Sequence, residues 1–209
     1  MKEELINAIA NLEEEKTLEL VREKLKAGET PLEIVEQCKQ GVEIVGKKYS
    51  EEVYYLSDLI MSEEILRRLM EILNPYFSKN TEQNGIKIVM GTIEGDIHDL
   101  GKNIVINLLK SHGFEVYDLG VDVHPEKFIK AIYETGARII GISVLLTFSI
   151  GSVKRVIELL KEAGLREKVT VLLGGYPINE RILQFTGADY YEKDAIKAVK
   201  LFKQVACLK

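Results

Sequence analysis

The chain has 209 residues, room for one large or two small domains, and its 46% hydrophobic and 29% charged residues are an ordinary globular composition. A net charge of −5 argues against a nucleic-acid surface and against a polybasic membrane anchor. No stretch approaches the roughly 18 apolar residues that a bilayer-spanning helix needs, so no membrane partner is expected.

Residues 1 to about 73 read as helices throughout. The opening, MKEELINAIANLEEEK, is acidic and amphipathic, unlike a signal peptide, and places the chain in the cytoplasm. Glu3 to Leu12 and Glu14 to Lys26 predict two helices, broken near Asn11-Leu12 and stopped at Gly28. Thr30-Pro31-Leu32-Glu33 predicts a helix start, in which Thr30 caps, Pro31 fits the first turn and Glu33 completes a capping box. Ile34, Cys38, Val42, Val45 and Tyr49 then recur at helical spacing. A fourth helix is expected from about Leu56 to Leu73, ending before Pro75. Four helices with short joins imply an antiparallel four-helix bundle. Residues 74–85, NPYFSKNTEQNG, carry no apolar periodicity and divide a helical domain at 1–78, through a linker at 79–85, from a second domain. Cys38 and Cys207 have no paired metal or redox spacing and read as a small buried hydrophobe and a tail thiol.

From Ile86 to the end, strands and helices alternate. Strands are expected near 86–92, 115–119, 138–145, 170–173 and 188–191, with helices near 99–111, 125–134, 149–163, 178–185 and 194–206. Five such units over residues 86–209 imply an α/β doubly wound, five-stranded parallel sheet. In a flavodoxin-like order the switch point falls between the first and third strands, where open α/β folds bind ligands. The loop after the first strand is Gly91 to Val105, GTIEGDIHDLGKNIV. It presents His98 at the carboxyl edge of the sheet, with Asp96 two residues before it. A carboxylate within reach of one imidazole nitrogen fixes the tautomer and leaves the other nitrogen for a metal. Gly91, Gly95 and Gly101 would let something bulky approach the backbone.

Two further motifs lie downstream. After Gly101 come 41 residues and then Ser143-Val144-Leu145; after Leu145 come 28 residues and then Gly174-Gly175. The ordered set D-x-H-x-x-G, S-x-L and G-G resembles the signature of cobalamin-binding domains, found in methionine synthase, the base-off mutases and the corrinoid proteins of methyltransferase systems. The resemblance implies cobalamin bound base-off/His-on, with His98 replacing the cofactor's own benzimidazole as the lower axial ligand of cobalt. It implies that Asp96 orients His98 and that Ser149 continues the relay. It places Gly95, Asp96, Ile97, His98, Asp99 and Gly101 against the cofactor. Ser143, Leu145, Thr147, Gly174 and Gly175 would form the slot for the displaced nucleotide tail. The stretch Thr147-Phe148-Ser149-Ile150 departs from the Thr-rich sequence common in corrinoid proteins. AGETPLEIVEQCKQGVEIVGKKYSEEVYYLSDLIMSEEIL resembles the helical cap that precedes this domain in methionine synthase and corrinoid proteins, which mutases lack. Tyr54, Tyr55, Leu56 and Met61 lie where such a cap faces the cofactor.

The function implied is that of a corrinoid methyl-carrier subunit in a multi-component methyltransferase system. Such a subunit works with a donor-specific methyltransferase, an acceptor methyltransferase and a reductive activase, and is not catalytic without them. The methyl group would pass from a methylated donor to tetrahydrofolate or coenzyme M. An aromatic methyl ether, as in O-demethylase systems, is the favoured donor over methylamines, methanol and betaines. A cobalamin-dependent sensor or regulatory module shares the cap and domain, but the acidic first thirty residues offer no DNA-binding face. A cofactor-free interaction module would be expected to lack His98 and Asp96.

Overall fold

The computed structural model of the protein describes residues 2–77 and 85–207 and divides the chain into two compact units, Met1–Ser78 and Lys79–Lys209. The first unit holds α1 (Lys2–Ala10), α2 (Glu14–Lys26), α3 (Pro31–Ser50) and α4 (Leu56–Phe77). The break between α1 and α2 is made by Leu12, which adopts a left-handed φ of 59°. The expected capping box forms at α3: the Glu33 N–H donates to the Thr30 hydroxyl at 3.3 Å, and the Thr30 N–H donates to the Glu33 carboxylate at 2.9 Å. Leu5, Ile9, Ile34, Ile65, Leu69 and Leu73 are fully buried and make the core of the unit. Each contributes about 1.5–3 kcal/mol by leaving water. Helices α1 and α3 cross closely, because a Cβ on Gly41 would lie 2.7 Å from Cβ of Ile9.

Helix α4 runs further than the sequence predicts. It passes through Pro75 to Phe77, so residues 74–77 belong to the helix and not to a linker. A proline near a helix end removes a single backbone hydrogen bond while its own φ stays helical. Burial of Phe77 holds the last turn in place. Apart from Gly85, the linker expected at 79–85 lies outside the described residues.

The second unit alternates β1 (Lys87–Thr92), α5 (Leu100–Ser111), β2 (Glu115–Asp118), α6 (Pro125–Thr135), β3 (Ile139–Ser143), α7 (Ile150–Glu162), β4 (Thr170–Gly174), α8 (Glu180–Thr186), β5 (Tyr190–Tyr191) and α9 (Ala195–Cys207). The five strands are parallel in the order β2-β1-β3-β4-β5, the flavodoxin-like arrangement. Val89, Ile140, Ile142, Val171 and Leu173 are buried under α6 and α7 with Phe128, Val153, Val156 and Leu160. The continuous apolar runs of the strands follow from a sheet covered on both faces.

Register puts Thr92, Ser143 and Gly174 side by side at the ends of β1, β3 and β4. Strand β3 stops at Ser143, two residues before the predicted end: the Val144 N–H still donates to Gly174, but the N–H groups of Leu145 and Leu146 turn away from the ladder. A short 3-10 turn, Thr147–Ser149, then leads into α7.

Candidate functional site

The three motifs meet at the carboxyl edge of the sheet. Asp96 is 0% exposed, yet both of its carboxylate oxygens are engaged. Oδ1 accepts the His98 backbone N–H at 3.1 Å and pairs with His98 Nδ1 at 2.7 Å. Oδ2 accepts the N–H groups of Leu145 at 2.5 Å and Leu146 at 3.0 Å. Those two amides are the ones β3 withdraws from its ladder, so the end of β3 and the loop after β1 are joined through one carboxylate. Burial by itself would raise the Asp96 pKa. The hydrogen bonds from Leu145, His98 and Leu146 outweigh it and hold the carboxyl below the ordinary aspartate value.

An ionised Asp96 keeps the proton of the neutral imidazole on Nδ1 and leaves Nε2 with its lone pair. The His98 side chain is 39% exposed, so its ring stands on a buried support with one side toward solvent. Its carbonyl is tied as well, accepting from the Thr92 hydroxyl at 3.1 Å.

The glycines separate into two groups. Gly95 has φ +81°, and a Cβ there would lie 3.0 Å from the Ser149 hydroxyl and 3.4 Å from the Phe148 ring. Gly175 has φ +129°, and a Cβ there would strike the Val144 carbonyl oxygen at 1.8 Å. Gly174 would carry a Cβ in ordinary contact, 3.7 Å from the Glu192 carbonyl. Among the described residues nothing lies within 4 Å of a Cβ on Gly101. Gly91, expected to admit a bulky group, faces the protein's own core: a Cβ there would meet Phe128 Cζ at 3.0 Å.

The remaining predicted positions differ in what they touch. Ile97 and Thr147 are exposed, as is Leu145, while Ser143 is half-buried. Asp99 precedes α5 and accepts from the Asn103 side chain at 2.9 Å. Ser149 is 2% exposed, and its hydroxyl has no hydrogen-bond partner among the described residues. It makes no hydrogen bond to Asp96 here, whose two oxygens are taken up by His98 and by the amides of Leu145 and Leu146. In the helical unit the Tyr54 hydroxyl donates to the Ala10 carbonyl at 3.0 Å. Lys48 Nζ donates to the same carbonyl at 2.7 Å and lies 4.6 Å from the Tyr54 ring centre. Tyr54 is thus tied into its own helical unit, whereas Met61 is exposed.

Two contributors escape a reading of the sequence. Lys102, with a side chain 1% exposed, donates to the Asp118 carboxylate at 2.7 Å and so fastens α5 to the end of β2. The segment Gly120–Val123 runs alongside residues 92–96. The Thr92 N–H donates to Gly120, Val123 to Thr92, and Glu94 to Val123, each at 3.0 Å. The LGVD turn was the available signal, since glycine and aspartate both enter the left-handed region.

Family models described as "B12 binding domain" match residues 86–200 and, for a second model, residues 1–74. Dimethylamine corrinoid protein 3 of Methanosarcina acetivorans is 38% identical over 203 residues, covering 97% of this chain and 95% of its own. The structure of the monomethylamine corrinoid protein of Methanosarcina barkeri superposes with a TM-score of 0.90 at 33% identity, covering 96% of each chain. A chain of the methanol:cobalamin methyltransferase complex of Methanosarcina barkeri superposes with a TM-score of 0.56 at 28% identity, covering 97% of this chain and 78% of that one. The protein belongs to the cobalamin-binding corrinoid proteins of methyltransferase systems.

Proposed function

We propose that this protein is a methyl carrier that binds cobalamin in the base-off/His-on form, with His98 as the lower axial ligand of cobalt. The observation that carries the reading is the Asp96–His98 pair: a buried carboxylate, fixed by the amides of Leu145 and Leu146, holds an exposed imidazole by Nδ1. The residues fit such a cofactor. Nε2 is a donor suited to cobalt. Ser143, Gly174 and Gly175 put small side chains at neighbouring strand ends, where a nucleotide tail needs a narrow slot, and the unpartnered Ser149 hydroxyl adds a polar atom near Gly95. When bound, the cofactor supplies a metal centre that accepts a methyl group and gives it up. The chain's own part is to hold the imidazole, keep its proton on Nδ1 facing the ionised Asp96, and exclude water. Exposed Tyr55, Leu56, Ile60 and Met61 support a water-excluding role for the helical unit.

A donor-specific methyltransferase and an acceptor methyltransferase would supply the two substrate sites, with tetrahydrofolate or coenzyme M as acceptor and a reductive activase to restore the carrier. A cytoplasmic location accompanies that reading. Relatives named for dimethylamine and trimethylamine support a methylated amine as donor ahead of an aromatic methyl ether.

The test is the visible spectrum of the full chain reconstituted with cobalamin, beside a His98→Ala variant. Wild type is expected to bind the cofactor with its benzimidazole displaced and a histidine coordinated, and the variant to lose the histidine signature. Absence of binding by wild type would refute the assignment. Methyl transfer assays with purified amine and aryl-ether methyltransferases then decide the donor.

A further inference from the structure

Asp122 has a left-handed φ of +49°, one of three such non-glycine residues among those described. That conformation is uncommon for a residue with a side chain, and aspartate is among the few that tolerate it. Here it aims two groups of one residue at the same dipeptide of the neighbouring loop. The Asp122 carboxylate accepts the Gly95 N–H at 2.8 Å, and the Asp122 N–H donates to the Asp96 carbonyl at 3.0 Å. The segment leading to Asp122 is itself in fixed register, through the bonds that join Gly120 and Val123 to Thr92 and Glu94. Asp96 is therefore braced from two strands. Leu145 and Leu146 of the β3 side hold its carboxylate, and Asp122 of the β2 side holds its backbone.

We infer that Asp122 is a positioning residue for His98: gripping Gly95–Asp96 at its first N–H and its last carbonyl, it fixes where the Asp96 carboxylate, and through it the imidazole, stands. The inference rests on His98 being the axial ligand. An axial bond to a metal tolerates errors of only about 0.5 Å in its donor, so a loosened loop weakens that bond before it weakens the fold.

The experiment uses the full chain reconstituted with cobalamin in the Co(II) state. The protein is labelled with 15N-histidine, so an axial histidine nitrogen splits each electron paramagnetic resonance line into two, whereas the cofactor's own benzimidazole nitrogen would split it into three. Wild type and Asp122→Asn, which keeps an acceptor and tolerates the left-handed backbone, are expected to show the splitting into two. Asp122→Gly removes the carboxylate while leaving φ unstrained, and so loses the bond to Gly95 without a steric penalty. It is expected to bind cobalamin within about threefold of wild type, with the ratio of nitrogen-bound to nitrogen-free cobalt lower by roughly tenfold, the worth of one charge-assisted hydrogen bond. Wild-type splitting in Asp122→Gly overturns the inference. So does outright loss of cobalamin or of the cooperative melting of the apoprotein, which would make Asp122 a fold residue. His98→Ala run alongside separates the two readings. If it retains the splitting, His98 is not the ligand and both fall; if it loses the splitting while Asp122→Gly keeps it, only the role of Asp122 falls.

Discussion

At the carboxyl edge of the α/β unit the exposed imidazole of His98 stands on a carboxylate that solvent does not reach. At the turn from α3 into α4 in the helical unit, the most exposed large apolar side chains are Tyr55 at 72% and Leu56 at 63%, with Val53, Ile60 and Met61 nearby in sequence and also exposed. The backbone there is anchored, since Asp58 accepts the Tyr55 N–H at 2.7 Å, but nothing polar directs the side chains. On the proposed function the contrast follows the task of each surface. A metal ligand is directional, so its donor atom is fixed through two shells of hydrogen bonds. Apolar contact depends on area and has no preferred direction, so side chains that settle against a flat partner suffice.

Substitutions at the two surfaces should therefore differ sharply in cost. The largest effect is expected for Gly175→Ala. Its φ of +129° and the 1.8 Å approach to the Val144 carbonyl leave no room for a methyl group. A loss of about 3–5 kcal/mol in apoprotein stability is expected by chemical denaturation, and a loss under 1 kcal/mol would show that the β3 and β4 ends separate easily. Asp96→Ala strands the buried N–H groups of Leu145 and Leu146 and releases His98. About 2–4 kcal/mol of stability should go, together with the axial nitrogen signal of the reconstituted protein. A variant as stable as wild type would mean that water or rearrangement satisfies those amides.

Tyr54→Phe removes the donation to Ala10, which Lys48 continues to serve. About 1 kcal/mol of stability should be lost with no change in cobalamin affinity, and a fall in affinity would return Tyr54 to the cofactor surface. Leu56→Asp should shift apoprotein stability by less than about 0.5 kcal/mol, as expected for an exposed position. If the apolar surface serves the cofactor, the same variant should weaken cobalamin retention in a dialysis assay. Unchanged retention would remove that surface from the site.

Near neutral pH the smallest effect concerns Cys38, whose thiol burial pushes up from 9.0 to about 12. Because the folded value lies above the unfolded one, this contribution to stability is intact below about pH 9. It declines as pH rises toward 12, by about 1.4 kcal/mol per unit. At pH 8 a thiol reagent should modify exposed Cys207 and spare Cys38 until the protein is unfolded. Modification of both thiols in the native protein would contradict the packing of α3.

What the sequence determines by itself is whatever depends on near neighbours along the chain. The alternation of apolar strands and amphipathic helices dictates the parallel sheet. The two-residue spacing of Asp96 and His98 suffices to bring carboxylate and imidazole together, because a tight turn after β1 allows little else. Thr30 and Glu33 likewise meet within one helical turn. The tertiary structure decides everything that depends on which strand ends lie side by side. Asp96 takes its amides from residues 49 and 50 positions away, and Gly95 is gripped from 27 positions away. Gly91 and Gly175 are both small, yet one is required by Phe128 and the other by Val144, partners that no local spacing reveals. Tyr54 turns inward and Tyr55 outward because Ala10 of another helix offers a carbonyl to the first. A backbone donor or acceptor must find a partner wherever the fold buries it, and where it is buried is a property of the assembled sheet and bundle rather than of the chain.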